Sequence, residues 1–260
     1  MIGEACMTAS VSTSKRGLSS STLKILACIF MAIDHIGFRW FPDLMILRVI
    51  GRLAFPIFAF FIAEGCRYSK HKVRRFFTIF AMGAVFFISY YVYTGTLYAN
   101  IFLTFAVSIL MIHLLQFCKR MAAEYSNPLP AVGAFLLLAT ALVASHRLFS
   151  VVVFEYKFFG MLTPVLVGLF DFKGIRVSES WRRLDCLPVR LLCLGAGLFL
   201  IASGEVLFHI QIWNLTALVL LACYNGQVGR YKMKYAFYLF YPLHLLIIEG
   251  VYLLLQLLTK

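Results

Sequence analysis

The residues in this chain best suited to chemistry are an adjacent aspartate and histidine, Asp34 and His35, in the first long apolar stretch. An ionisable side chain at the depth of a bilayer costs roughly 3 to more than 10 kcal/mol, and it is retained where a partner, a cavity or a function supports it. A carboxylate beside an imidazole can fix the tautomer of the ring and stabilise its protonated form, which suits a general base near neutral pH. The pair therefore predicts a catalytic site with His35 as the base and Asp34 as its support.

Two arginines in the next apolar stretch bring positive charge to the same depth. Arg48 and Arg52 are four residues apart, so they share one face of a helix. Because only a short loop separates the two stretches, we expect antiparallel neighbouring helices in which Asp34 pairs with Arg48 or Arg52. That pairing has two interpretations: the arginines only hold the two helices together, or they also stabilise negative charge during a reaction.

Two prolines and a second histidine belong to the same region. Pro56 and Pro242 each remove a helical hydrogen bond and are expected to kink their helices, which opens space beside them. His244, two residues after Pro242, then either faces the cavity that contains His35 or hydrogen-bonds a neighbouring helix.

A cluster of five basic residues follows the second apolar stretch: Arg67, Lys70, Lys72, Arg74 and Arg75. Such a cluster suits the phosphates of a nucleotide cofactor, and it is equally typical of a cytoplasmic loop that only sets membrane orientation. The sequence has no Gly-rich phosphate loop, HExxH or GxSxG motif, so hydrolase and nucleotidase functions lack support. No Cys or His cluster has the spacing of metal ligands, so no metal site is expected.

The composition is that of a polytopic membrane protein: 62% of the 260 residues are hydrophobic and 13% are charged, and the mean hydropathy is +0.88. A helix needs roughly 17 to 25 apolar residues to cross a bilayer, and its backbone must satisfy its own hydrogen bonds there. We therefore predict an all-α transmembrane bundle of about nine spans. The predicted spans are residues 23–41, 44–66, 76–93, 97–118, 131–148, 151–170, 188–208, 210–224 and 235–258.

The positive charges alternate between the two sides as nine spans require. Eighteen of the 24 Lys and Arg residues fall on one side, four fall on the other, and Arg48 and Arg52 lie within the membrane. Because cytoplasmic loops carry the excess of Lys and Arg, we expect a cytoplasmic N-terminus. The same distribution explains the net charge of +13 without a nucleic-acid partner, and it places basic loops against anionic lipid headgroups.

The chain divides into two predicted segments. Residues 1–22 are polar and rich in Ser and Thr, which predicts a disordered cytoplasmic tail. Residues 23–260 form a single transmembrane domain, since the sequence contains no internal repeat and no loop long enough to fold alone.

Three segments together resemble the TraX family, membrane proteins associated with N-acetylation of conjugative pilin. They are residues 23–37, which contain MAIDHIG; residues 48–65, RVIGRLAFPIFAFFIAEG; and residues 224–245, which begin with YNG and end with KYAFYLFYPLHL. Asn100, at the start of NIFLT, adds a weaker match, whereas residues 119–223 are similar mostly in hydropathy. The second segment is also similar to the corresponding helix of heparan-α-glucosaminide N-acetyltransferase and related transmembrane acyltransferases.

These resemblances imply an acetyl-CoA-dependent acyltransferase in a bacterial inner membrane. Acetyl-CoA would enter from the cytoplasm, and a histidine near the middle of the membrane would serve the transfer. On this chain that histidine is His35, beside Asp34 and near Arg48 and Arg52, and the acceptor would be a protein or glycan such as a pilin. The residues expected to bind acetyl-CoA are Arg67, Lys70, Lys72, Arg74, Arg75, His244 and Asn100.

Two other classes of function remain open at this point. One is a proton-coupled transporter or flippase, in which Asp34, His35, Arg48 and Arg52 form a proton or anion relay. The other is a non-catalytic pilus assembly factor whose helices bind a partner. Stabilisation of the folded protein by acetyl-CoA would separate the enzyme from both.

Overall fold

The computed structural model describes residues 17–204, 208–229 and 234–258. Within them the chain is almost entirely helical, as the sequence predicts. The helices are α1 (Ser20–Trp40), α2 (Met45–Gly51), α3 (Ala54–Tyr68), α4 (Lys72–Thr94), α5 (Ile101–Glu124), α6 (Leu129–Val151), α7 (Lys157–Val167), α8 (Glu179–Leu184), α9 (Leu187–Ser203), α10 (Phe208–Gln211), α11 (Ala217–Ala222) and α12 (Lys234–Leu258). A 3-10 helix, Ile212–Thr216, precedes α11, and the two-residue strands β1 (Tyr98–Ala99) and β2 (Val153–Phe154) pair in parallel.

Six helical stretches are long and apolar enough to cross a membrane. They are Ser20–Trp40, Met45–Tyr68, Lys72–Thr94, Ile101–Glu124, Leu129–Val151 and Leu239–Leu258. The remaining predicted spans overlap shorter apolar helices, so the described residues do not contain nine helices of spanning length. The short ones are Lys157–Val167, Leu187–Ser203 and His209–Ala222.

The predicted span over residues 151–170 is shortened by its backbone conformation. Tyr156 and Lys157 have φ angles of 60° and 50°, which do not continue a right-handed helix, so α7 starts only at Lys157. Its 11 residues make a helix about 16 Å long, whereas a hydrocarbon core is about 30 Å thick. The predicted seventh span ends at residue 208, and residues 205–207 within it lie outside the described residues.

Helix α1 starts at Ser20, three residues before the predicted first span at residue 23. Ser19 caps α1 because its hydroxyl accepts a hydrogen bond from the Thr22 amide at 3.3 Å. Leu18 pairs with the segment after α11, since its amide donates to the Cys223 carbonyl and its carbonyl accepts from the Asn225 amide. Residues 17–22 are therefore part of the fold, and residues 1–16 of the predicted tail lie outside the described residues.

Helices α3 and α5 form the centre of the bundle. Ile57 and Phe60 of α3 and Ile109 of α5 are completely buried, and α3 packs against α1, α5 and α7. The outer helices α4 and α6 expose apolar side chains instead, as at Val85 and Val143. Such exposure suits helices that face lipid rather than water.

The second predicted span is a broken helix. Its two parts, α2 and α3, are separated at Arg52 and Leu53. Pro56 accounts for the break, because its ring crowds the carbonyl of Arg52 four residues earlier and it has no amide proton to donate to that carbonyl.

Two groups of ion pairs tie distant segments together near the opposite end of α3. Arg190 of α9 donates to Glu64 of α3 at 2.8 Å, and both side chains are less than 10% exposed. Arg67 pairs with Asp171 at 2.8 Å and also with Asp185, which anchors the long connection between α7 and α9. These charges stabilise the fold.

We expect Glu64→Leu to destabilise the protein by about 3 to 5 kcal/mol, because it leaves the Arg190 guanidinium buried without a counter-charge. Replacing both residues by Leu removes both charges and should recover most of that loss. Denaturant titrations of the purified protein in detergent micelles measure each free energy of unfolding. A Glu64→Leu protein as stable as the wild type would show that the ion pair contributes nothing.

Candidate active site

Asp34, predicted to pair with Arg48 or Arg52, pairs with both. Arg48 Nη1 lies 3.0 Å from Asp34 Oδ1, and Arg52 Nη2 lies 3.6 Å from the same oxygen. Arg48 also donates to the backbone carbonyl of Asp34 at 3.3 Å. The three side chains are at most 23% exposed, so these charges neutralise one another away from water.

Gly51 makes this pairing possible. A β-carbon at this position would collide with the Asp34 side chain, so any residue other than glycine would push α1 and α2 apart. A β-carbon on Gly37, further along α1, would likewise collide with the Leu47 side chain. The close approach of the two helices therefore depends on glycines in each.

His35 contacts a second imidazole, and the described contacts include none between its ring and the Asp34 carboxylate. Successive residues of a helix are about 100° apart around its axis, and the described hydrogen bonds include none between Asp34 and His35. The His35 ring instead lies against His244 of α12, with 5.1 Å between ring centroids. Among the described contacts, the Asp34 carboxylate pairs with Arg48 and Arg52 and not with His35, so the support of His35 by Asp34 stays a prediction.

The hydrogen bond of His244 fixes its tautomer. Its Nδ1 lies 2.8 Å from the Phe240 carbonyl, which can only accept, so Nδ1 carries the proton. Nε2 is then a free lone pair, and it is buried without a hydrogen-bond partner among the described residues. Neither alternative predicted for His244 is observed as stated, since it hydrogen-bonds its own helix and lies against His35 without being part of the described cavity wall.

A cavity of about 430 Å³ connects this region to the start of α1. At one end, here called the histidine end, its wall contains Asp34, His35, Gly51, Glu155 and Tyr156. At the other, the lysine end, its wall contains Ser20, Ser21, Lys24 and Arg75. Between the ends it is lined by phenyl rings, among them Phe55, Phe58 and Phe61.

Helix α1 spans the length of the cavity. Lys24 and His35 are eleven residues apart, which corresponds to about 16 Å along the axis and to almost the same direction around it. Both side chains therefore reach the same cavity. The arrangement can hold an elongated molecule with a negative charge at one end and a reactive group beside an imidazole at the other.

Two cations define the lysine end. The Arg75 guanidinium donates to the Phe61 carbonyl at 3.2 Å and lies over Gly65, where a β-carbon would displace it. The Lys24 ammonium lies 4.8 Å from the centre of the Phe61 ring. Of the predicted cofactor-binding residues, Arg75 is the one that lines the cavity.

The other predicted cofactor residues lie elsewhere. Arg67 is held by Asp171 and Asp185, and Lys70, Lys72 and Arg74 are not part of the cavity wall. Asn100 caps α5 by accepting hydrogen bonds from the Phe102 and Leu103 amides, and its amide group donates to the Gly83 carbonyl. Its observed contacts are structural. No group of three or more metal-binding side chains occurs among the described residues.

Glu155 and Tyr156 were not among the predicted site residues, yet both line the histidine end. Glu155, in the loop before α7, accepts a hydrogen bond from the Ile101 amide at 3.0 Å. Burial raises the pKa of its carboxyl to about 7, so near neutral pH it can hold or release a proton. The only sequence signal for these residues was a glutamate interrupting an apolar run.

The sequence model of one protein family, described as TraX protein, matches residues 19–252. The chain belongs to the TraX family. The TraX match contains both ends of the cavity, from Ser20 to Tyr241, as well as His244. It confirms the family that the three motif segments indicated.

Two relatives extend the comparison. The probable fimbrial assembly protein FimC (serogroup H1) of Dichelobacter nodosus is 24% identical over 259 residues, which cover 92% of this TraX-family chain and 97% of the relative. An uncharacterized protein of Rickettsia prowazekii (strain Madrid E) is 52% identical over 52 residues, or 20% of this chain and 21% of that one. No solved structure matches.

We expect Gly51→Ala to destabilise this TraX-family protein by about 1 to 3 kcal/mol, because the added methyl group collides with Asp34. Gly133→Ala in α6 is the matched control, since its β-carbon would meet nothing within 4 Å. Alanine favours a helix by about 1 kcal/mol over glycine, so the control should be neutral or stabilising. Thermal unfolding in micelles compares the two; equal behaviour would show that the contact is not restrictive.

Proposed function

We propose that this TraX-family protein is an integral membrane acetyltransferase that moves an acetyl group from acetyl-CoA to an amine or hydroxyl acceptor. The observation that carries the proposal is the cavity with two cations at one end and His35 at the other. Binding pockets for small molecules are typically concave and mostly apolar, with a few polar groups that fix orientation. This cavity has that character.

The chemistry of the cavity fits acetyl-CoA in parts. Lys24 and Arg75 suit the phosphates at the nucleotide end, because phosphate oxygens form strong charge-assisted hydrogen bonds with ammonium and guanidinium groups. The phenyl rings between the two ends suit the flexible arm that carries the thioester. The cavity therefore favours Lys24 and Arg75 over the full basic cluster as the phosphate site.

The proposed reaction uses the groups at the histidine end. His35 removes a proton from the acceptor, whose nitrogen or oxygen then bonds to the acetyl carbon while the carbon–sulfur bond breaks. Sulfur leaves with the electron pair and takes the proton to become the free thiol. Arg48 and Arg52, which pair with Asp34 and are not part of the described cavity wall, offset from a distance the negative charge that develops on the thioester oxygen.

His244 has a supporting part in this proposal. Its free Nε2 and its position beside the His35 ring suit it to accept a proton that His35 gives up. The same geometry serves direct transfer and transfer through an acetylated His35.

The positive-inside rule favours a cytoplasmic location for the lysine end, which is the side from which acetyl-CoA would enter. A bacterial inner membrane fits this orientation. The name of the Dichelobacter nodosus relative, a probable fimbrial assembly protein, favours a protein acceptor of the pilin kind, with a glycan as the other class. That name equally suits a non-catalytic assembly factor, the second candidate function.

Incubation of the purified protein with isotopically labelled acetyl-CoA and an amine acceptor, followed by mass spectrometry, tests the activity. Removing a general base typically lowers a rate by about 10² to 10⁴-fold, so His35→Ala should nearly abolish transfer. Thermal stabilisation by acetyl-CoA should persist in that variant, because the phosphate end is intact. Undiminished turnover would remove His35 from the mechanism, and a wild type that acetyl-CoA does not stabilise would favour the assembly factor.

Substitutions of two lysines test the location of the phosphate site. Lys24→Met should weaken acetyl-CoA binding by about tenfold or more, because a hydrogen bond to a charged group contributes about 1.5 to 3 kcal/mol. Lys70→Met, in the basic cluster but outside the cavity wall, should leave binding unchanged. Equilibrium binding of labelled acetyl-CoA measures both, and the opposite pattern would return the site to the cluster.

A further inference from the structure

A second cavity, of about 230 Å³, lies on the other side of Tyr156. Its wall includes Phe149, Phe158 and Phe159, together with His146 and Lys157. Tyr156 contributes to the walls of both cavities, and it is the one residue that they share. The second cavity lies at the end of α6 and α9, which is the end of the bundle away from Lys24 and Arg75.

Tyr156 is held in place by contacts on several sides. Its ring stacks on Phe55, with 4.0 Å between centroids and an angle of 20°. Its hydroxyl is near enough to Arg52, the residue that pairs with Asp34, for the two to interact electrostatically. A β-carbon on Gly160 would collide with Tyr156, so the tyrosine also depends on a glycine beneath it.

The backbone at this position is unusual. A left-handed conformation is rare for a residue as bulky as tyrosine, and here it occurs at two consecutive non-glycine residues, Tyr156 and Lys157. Such conformations persist where surrounding contacts enforce them, and they cluster at functional sites. Here the preceding residue is fixed on three atoms, since Glu155 bonds to the Ala99 carbonyl, the Ile101 amide and the Thr104 hydroxyl.

We propose that the second cavity binds the acceptor and that Tyr156 is the partition between acceptor and acetyl donor. The proposal rests on the proposed function, because it assumes that acetyl-CoA occupies the first cavity. The acceptor then approaches from the end of the bundle opposite the donor. Its amine passes the tyrosine ring to reach the thioester beside His35.

The wall of the second cavity favours an amine carried by an apolar group. Three phenyl rings and Ile201 form the apolar part of the described wall and suit an apolar group, whereas Ser150, His146 and Lys157 offer a few polar partners. Among the described residues of this wall, the side chains that can carry a charge are Lys157 and His146.

The transfer balances with these parts. The amine nitrogen bonds to the acetyl carbon, the carbon–sulfur bond breaks and sulfur takes the electron pair. The proton lost by nitrogen passes through His35 to sulfur, which gives an amide and a free thiol. No oxidant, reductant or metal is required.

Tyr156 can be tested apart from the acceptor. Tyr156→Ala joins the two cavities and should admit water to the thioester, so hydrolysis of acetyl-CoA in the absence of acceptor should increase. Tyr156→Phe keeps the ring stacked on Phe55 and should hydrolyse no faster than the wild type. Equal hydrolysis by the wild type and Tyr156→Ala would overturn the partition.

The acceptor site is tested by filling the second cavity from its rim. A side chain at Gly204 meets only ordinary contacts at its β-carbon, so Gly204→Phe can extend into the cavity, and Gly133→Phe, on an open face of α6, is the matched control. Rates are measured with the full chain in micelles, labelled acetyl-CoA and phenylalanine amide as the acceptor probe. Gly204→Phe should raise the KM for the amide by about tenfold and leave the KM for acetyl-CoA unchanged, since uniform binding of one substrate is lost.

Each outcome has a distinct meaning. An unchanged KM for the amide in Gly204→Phe, or an equal change in Gly133→Phe, overturns the acceptor site while the enzyme stands. Acetylation of glucosamine but not of phenylalanine amide overturns the acceptor class. A wild type that binds no acetyl-CoA and transfers nothing overturns the proposed function and the acceptor site together.

Discussion

The architecture depends on placing one carboxylate and two guanidinium groups in a part of the chain otherwise apolar enough to span a membrane. Each charge alone would be prohibitively costly there, and together they are tolerable at ion-pairing distance. The close approach of the two helices requires glycine at position 51, and the helix is interrupted just after that residue. The interruption in turn follows from Pro56. A small number of residues thus fixes where α1 and α2 meet and which way the neighbouring His35 faces.

The charged residues of this protein divide into those that hold the bundle and those that line its cavity. Arg67, Arg190 and Glu64 have their partners within the fold. Lys24 and Arg75 instead border an apolar space. Arg67 and Arg75 lie close together in sequence, so a basic residue near the end of α3 carries no signal of which role it has. The burial of each basic side chain and its ion-pair partners distinguish the two roles.

Much of the fold and part of the site could be predicted from the sequence. The pairing of Asp34 with Arg48 and Arg52 followed from helical spacing and a short loop, and hydropathy gave the helical class. Hydropathy overestimated the length of α7, because the loop before it is also apolar and its left-handed residues leave no mark in composition. The role of Asn100 as a cap could not be separated from binding without seeing its partners. Tyr156 was missed because its importance arises from contacts with Phe55 and Arg52, about a hundred residues away.

Because Lys24 and His35 lie on one uninterrupted helix, α1 fixes the distance between them. The separation between the group that would grip a phosphate and the group that would meet the reactive carbon is set by the pitch of a helix rather than by a flexible loop. Inserting or deleting a single residue between them would change the reach by about 1.5 Å and swing one end about 100° out of line. A thioester whose arm is too short could not place its phosphate at Lys24 and its reactive carbon at His35 at the same time. Under the proposed function, the length of a thioester would decide whether it fits, because the backbone of α1 fixes the distance between the two groups.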